Sequence, residues 1–369
     1  MAEKAKTFRL PFVLNMAGAM IAYYIGASTG TGQEFFQSYS SHGIMGAVGA
    51  VIQQVLLAVL ALVVIRICQK HHLAGAKECF IWFLGKYVGT AIYYYTVAFI
   101  FCTLVQLISG TGSIVTQYFG TPYYVGALIL TALLIASVLC GFKRLIEIIS
   151  KIAPLILVVM IITAAISLIN PTDGLIEGSK IAVASQEVYR TADTWWGSTI
   201  LHHTYLILFL VPYYVSCYTV DQNATKRETV SWIIIAYSIL AVLCLLMILS
   251  HVANISLCIG SQAPNVSIAM VHSPKLAALL VAMIMAASYT TTAPIALIAA
   301  EYFAKPDTTR YKVVGIVIIL VGLIVSFAGS YAQIINVLVS VSGRIGVAIY
   351  ILAAIYRIYR MFREKKTAA

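Results

Sequence analysis

Gly26-Ala27-Ser28-Thr29-Gly30-Thr31-Gly32-Gln33-Glu34 interrupts an otherwise apolar run from Pro11 to Tyr39, and its reading decides the fold. Three glycines and four hydroxyl or amide side chains stand where a membrane helix would carry leucine and valine. Each glycine lowers helix propensity by about 1 kcal/mol. Unwound backbone at membrane depth is tolerated only where it faces protein or lines a cavity. The competing reading is a close contact between helices, since Gly26 and Gly30 have the four-residue spacing of small-residue packing motifs.

The rest of the chain explains why this run lies in a membrane. It is 61% hydrophobic and 10% charged, with a mean hydropathy of +0.93. A soluble domain carries about 25% charge, so lipid must be the main solvent. About 20 apolar residues cross a bilayer as a helix, and helices satisfy their own backbone bonds there. The apolar runs predict an all-α polytopic membrane protein of about ten spans: Pro11–Tyr39, Ile44–Cys68, Cys79–Leu107, Tyr123–Cys140, Leu145–Ile169, Trp195–Tyr218, Val230–Leu257, Leu276–Phe303, Val313–Ala328 and Ile334–Tyr359.

The net charge of +11 reads as membrane topology, not as nucleic-acid binding. With ten spans, Lys4, Lys6, Arg9, Arg66, Lys70, Lys77, Lys143, Arg144, Lys151, Lys226, Arg227, Lys305, Arg310, Lys312 and the basic tail from Arg357 to Lys366 fall on one side. The other side holds only Lys180, Arg190 and Lys275. The positive-inside rule then places both termini in the cytoplasm. The N-terminus lacks a cleavable signal pattern. Seven scattered cysteines without a C-x-x-C pair suggest small buried hydrophobes. Two outer connections, Asn170–Thr194 and Gly260–Pro274, are long enough to act as lids or to be solvated loops.

Other polar groups lie inside the spans. In span 8, Ala287-Ser288-Tyr289-Thr290-Thr291-Thr292-Ala293-Pro294 stacks hydroxyls ahead of a proline. Such oxygens suit a small hard cation, or they bond back to carbonyls one turn earlier. Span 6 carries His202 and His203, either satisfied by backbone or available to a substrate or a proton. Glu34 is the carboxylate of span 1, free to meet a cationic substrate, relay a proton or pair with Arg344 of span 10. Tyr23, Tyr24, Tyr93, Tyr94, Tyr95, Tyr205, Tyr213 and Tyr214 lie near the expected centre. They pack, belt the interfaces, or box an amine by cation–π attraction.

Ten spans, a glycine-broken span 1 and the hydroxyl cluster of span 8 resemble the LeuT-type fold of the amino acid–polyamine–organocation superfamily of secondary transporters. Gly26–Glu34 is similar to the G-x-x-x-x-S-G-Q-E signature of the YkvI-like bacterial membrane proteins, with Thr31 where that signature has serine. The resemblance implies a 5+5 inverted repeat with broken helices 1 and 6: residues 1–170, an outer loop 171–194, residues 195–360, and a cytoplasmic tail 361–369. Relatives have glycines at the span 6 break where this chain has none. That leaves the break near His203–Leu206 by alignment or near Pro212 by chemistry. The resemblance further implies a sodium ion held by the carbonyls of Gly26, Thr29 and Ala287 and the hydroxyls of Thr290 and Thr291. A carbonyl followed by hydroxyls three and four residues on shares one helix face. Gln33 and His203 stand where some relatives build a second sodium site, which argues against one here.

The expectation is therefore a symporter, not an enzyme, in a bacterial inner membrane. It would move an amino acid, betaine or amine by alternating access with sodium. The expected solute contacts are Ala27, Ser28, Gly30, Gly32, Gln33, Glu34, Tyr94, His202, His203 and Tyr205. The broken half-helix offers partial positive charge to a carboxylate. The alternative is a proton-coupled or uncoupled exchanger using Glu34 and His202/His203. No zinc-protease, nucleophile-elbow or phosphate-loop motif points to an enzyme.

Overall fold

The computed structural model describes residues 8–140, 143–301, 303–305 and 308–368, and the backbone alone at Ala27, Cys140, residues 143–154, Ile298, Glu301 and residues 362–368. Lys4 and Lys6 lie outside the described residues, and so do the side chains of Lys143, Arg144, Lys151, Lys365 and Lys366. Every element among the described residues is helical.

Span 1 is built from three pieces: α1 (Leu10–Tyr24), α2 (Ala27–Thr31) and α3 (Gln33–Ser38). It is interrupted twice, at Ile25–Gly26 and at Gly32, the two ends of the glycine-rich stretch. Gly32 sits at φ +80°, in the left-handed region where a side chain costs about 1–2 kcal/mol. Span 2 is α4 (Ile44–His71).

Span 3 differs from its expected bounds. Gly85, also at φ +80°, separates a short α5 (Ala76–Leu84) from α6 (Lys86–Phe119), a helix of 34 residues. The apolar run had merged the two, because α5 is itself apolar. Then follow α7 (Tyr123–Cys140), α8 (Lys143–Ile169) and, in the first long connection, α9 (Leu175–Ala184).

Span 6 is α10 (Trp195–Val220), and here the expectation of a second broken helix is overturned. The helix runs unbroken for 26 residues with Pro212 inside it. The proline removes one backbone donor and is absorbed without a break. The missing glycines explain why: the proline alone, without a glycine beside it, does not unwind the segment.

The remaining elements are α11 (Lys226–Ala253), α12 (Ile255–Cys258), α13 (Pro264–His272), α14 (Pro274–Glu301), α15 (Thr309–Val325) and α16 (Tyr331–Ala368). Six helices, α4, α6, α10, α11, α14 and α16, are each long and apolar enough to cross a membrane, and α1, α7 and α8 contribute shorter apolar segments. The chain is an all-α multi-pass membrane protein.

Cross-helix bonds order the two ends of the bundle. Arg9 pairs with Asp221 and Glu228 at 2.6 and 2.8 Å, Gln69 donates to the Ala224 carbonyl, Lys312 donates to the Leu139 carbonyl, and Arg357 lies 4.1 Å over Trp82. These contacts gather the cation-rich helix ends into one basic side. At the opposite side the Ile44 amide donates to Ser179, Gln117 to Ser267, the Thr172 amide to Asn254, and the Ala332 amide to Gln262. Both long connections are thus folded against the bundle as α9 and α13.

Candidate functional site

Helix geometry at the break brings α3 against α10. Glu34 and His202 are both buried, and His202 Nε2 lies 2.7 Å from Glu34 Oε1. His202 Nδ1 lies 2.8 Å from Gln53 Nε2 and 2.9 Å from the Tyr39 hydroxyl. Gln53 is itself bonded to Gln54 at 3.3 Å. Glu34 is thus a buried carboxylate held at Oε1 by the His202 ring. The expected partner Arg344 is exposed on α16 and makes no contact with Glu34.

Glu34 borders a small cavity of about 40 Å³. Tyr23, Tyr24, Phe35, Tyr205, Leu206 and Phe209 form its apolar walls, and Gly26, Ser28, Thr29, Thr103, Gln106 and Thr291 its polar ones. Among the described residues no lysine or arginine lines it. Gln106 Nε2 donates to Glu34 Oε2 at 3.3 Å, which leaves Gln106 Oε1 buried without a partner. The cavity is thus aromatic and rich in acceptors. The N-terminal residues of α2, Gly26, Ser28 and Thr29, belong to its lining as the sequence reading expected of the half-helix.

Below the cavity a vestibule of about 620 Å³ runs from Ala74 and Ala76 at the basic side up to Thr290 and Thr291. Tyr23, Thr103, Phe209 and Thr291 border both spaces. Tyr23 stacks between Phe209 and Tyr213 with centroids 4.4 and 3.9 Å away, and its hydroxyl donates to the Phe209 carbonyl. This aromatic stack is the partition between cavity and vestibule. On the other side the break is covered. Thr31 bonds Tyr331, Gln37 donates to the Ala332 carbonyl, Ser38 bonds Thr191, and Asn265 of α13 donates to the Gly30 carbonyl at 2.9 Å.

The sequence-derived set divides. Ser28, Glu34 and Tyr205 line the cavity, and His202 stands directly behind Glu34. Gly30 is packed against Ile284, and Gly32 against His251 and Asn265. Gln33 is buried beside Thr31. The Ala27 side chain lies outside the described residues. His203 points away from the cavity to the Tyr350 hydroxyl at 2.8 Å. Tyr94 is 59% exposed under Lys77, so it takes no part in the cavity.

Of the expected cation ligands, Gly26 faces Thr291, and both line the cavity. Thr290 and Ala287 lie beside them in the vestibule, the Thr290 hydroxyl donating to the Ala287 carbonyl at 2.9 Å. The Thr29 carbonyl is already taken by the Gly32 amide at 3.1 Å and Asn265 at 3.3 Å, so it is not free for an ion in this state. The oxygen donors suit a hard monovalent cation. Among the described residues no group of three His, Cys, Asp or Glu is placed for a transition metal.

Sequence reading missed Gln53, Tyr39 and Gln106. The Gln53-Gln54 pair in the middle of an apolar span was the available signal, since polar side chains there need a reason.

No protein-family model matches the sequence, and none of the curated proteins does. Solved structures do. A Na+-coupled sialic acid symporter in a substrate-bound outward-open state superposes with a TM-score of 0.60 at 13% identity, over 94% of this chain and 79% of that one. A manganese transporter of Eremococcus coleocola gives 0.58 at 14%, over 95% and 79%. Mhp1 in an inward-facing conformation gives 0.58 at 16%, over 91% and 76%. The fold is the LeuT type. These LeuT-type neighbours are membrane transporters, and at such identities the likeness speaks for architecture alone.

Proposed function

We propose that the chain is a secondary transporter that carries a small organic cation, an amine or an amino acid presented by its ammonium group, by alternating access. The observation that carries this reading is the buried Glu34 carboxylate, which faces an aromatic, acceptor-lined cavity with His202 bonded behind it. An ammonium group supplies a positive charge and donors to the carboxylate, and Tyr24, Phe35 and Tyr205 supply cation–π faces. Gln106 Oε1 accepts a further N–H.

The vestibule on the basic side and the covered break opposite correspond to an inward-facing state. The positive-inside rule supports basic side as cytoplasm, with both termini there. The Gly26–Glu34 signature supports placement among the YkvI-like proteins of bacterial inner membranes, with residues 1–170 and 195–360 as the two inverted repeats. The oxygens of Gly26, Ala287, Thr290 and Thr291 are the ones that would hold a coupling sodium ion, which would supply a driving gradient. A proton is the second candidate for coupling, favoured by the Glu34–His202 hydrogen bond; His203, turned to Tyr350, drops out of it.

A thermal-shift screen tests the reading, with primary amines, betaines and amino acids measured in sodium and in choline. Stabilisation by ammonium-bearing solutes that disappears in Glu34→Gln supports it. Stabilisation by carboxylates lacking an amine, unchanged in Glu34→Gln, overturns it.

A further inference from the structure

The α16 helix carries one arginine where a membrane helix should carry none. Arg344 lies 13 residues from Tyr331, which bonds Thr31 on the covered side, and 13 residues from Arg357, which rests on Trp82 on the basic side. At about 1.5 Å per residue it stands roughly 20 Å from each marker. That is the middle of a hydrocarbon core about 30 Å thick. Depth is confirmed by its neighbour: the Gly343 carbonyl accepts from Thr204, next to the cavity residue Tyr205.

Gly343 faces α10, so Arg344 faces outward. It is exposed, and none of the described residues gives it a hydrogen bond, ion pair or ring. It lies in a stripe at helical spacing with Val337, Val341, Ala348, Ile351 and Ile355, all exposed. Only 33% of the α16 span is buried within the protein, against 67% for α10. Long basic side chains escape to the interface from helix ends, not from mid-span. A charge at this depth persists where something covers it with opposite charge.

We propose that the Arg344 face of α16 docks a transmembrane helix of another protein that carries a carboxylate at mid-span. A second copy of this chain does not meet the requirement. A symmetric contact would set Arg344 against Arg344. Among the described residues the exposed carboxylates, Glu78, Glu177, Glu187 and Asp193, lie in connections or short helices at the two ends of the bundle. The apolar stripe supplies the packing surface, and the guanidinium selects the partner by charge.

The full-length protein, carrying a donor fluorophore at its C-terminus, is reconstituted in phosphatidylcholine vesicles with acceptor-labelled Leu/Ala transmembrane peptides. The peptides carry Glu, Gln or Leu at the central position. The expected result is about tenfold tighter association of the Glu peptide than of the Leu peptide, lost in Arg344→Leu and retained in Arg344→Lys. An unchanged melting temperature of Arg344→Leu separates lost docking from lost folding, and Arg344→Gln repeats the test should the leucine variant misfold. Equal association of all three peptides overturns the proposal. Peptide-independent self-association that requires Arg344 overturns it in favour of a second copy. A requirement for anionic phosphatidylglycerol without peptide preference overturns it in favour of lipid.

Discussion

Glu34 Oε1 lies 2.7 Å from His202 Nε2, and the far nitrogen of the same ring is held by Gln53 and Tyr39, so the carboxylate of the cavity is fixed in place from behind.

Removing that charge is the most direct test. Hydrogen bonds to charged groups contribute about 1.5–3 kcal/mol, so Glu34→Gln is expected to weaken binding of the cationic solute by roughly 10- to 100-fold. Glu34→Asp should retain part of the affinity. Titration calorimetry on the purified protein measures both.

Sodium coupling has its own variant. Thr291 closes on Gly26 where cavity and vestibule meet. Thr291→Val keeps the shape and removes the oxygen. Sodium-dependent stabilisation is expected to fall by about an order of magnitude in sodium affinity, the effect of losing one ligand-strength polar contact. Sodium titrations of the melting temperature in wild type and variant decide it. Unchanged sodium dependence would remove Thr291 from the ion site.

At Gly32 two costs combine. A methyl group there would come within 2.8 Å of His251 and 2.9 Å of Asn265, on a backbone at φ +80°. Gly32→Ala is expected to destabilise the fold by about 2–4 kcal/mol. Chemical denaturation in detergent reads this loss. His251→Ala should relieve part of it, because one of the two clashes disappears.

The pH dependence of stability has a source outside the spans. His42 lies between α3 and α4, bonded to Ser198 at 2.8 Å. Burial, helped by the nearby Arg190, pushes it down to about 4. The unfolded chain takes up this proton near pH 6.5, before the folded protein does. Its contribution is therefore present above pH 6.5 and is lost as pH falls from there to about 4. The melting temperature should drop over this window by at least about 2 °C, and less in His42→Gln.

Much of the architecture was legible because lipid imposes a simple code. Apolar length and basic ends located the spans, and glycine marked the interruptions at Gly26 and Gly32. Span 3 was misjudged because the break at Gly85 lies between two apolar stretches, where hydropathy gives no signal. Glu34 was visible as a charge inside a span, but its contact with His202 was not. The His202 ring is held by Gln53 and Tyr39, which are remote in sequence and meet it only in the folded bundle. Tyr94 misled for a geometric reason. Three consecutive tyrosines on a helix point about 100° apart, so they cannot all face inward. Tyr95 reaches Ser342 while Tyr94 faces out.

The unbroken α10 has a consequence for how this protein can be retargeted. A site built from the carbonyls of two unwound helices resists redesign, because peptide groups are common to every residue type. Here α10 presents Tyr205, Leu206 and Phe209 to the cavity as side chains on a regular scaffold. Each is exchangeable by a single codon change without disturbing the backbone that holds it. A directed-evolution library confined to these positions and Glu34 would be the shortest route to a cavity of altered shape and polarity.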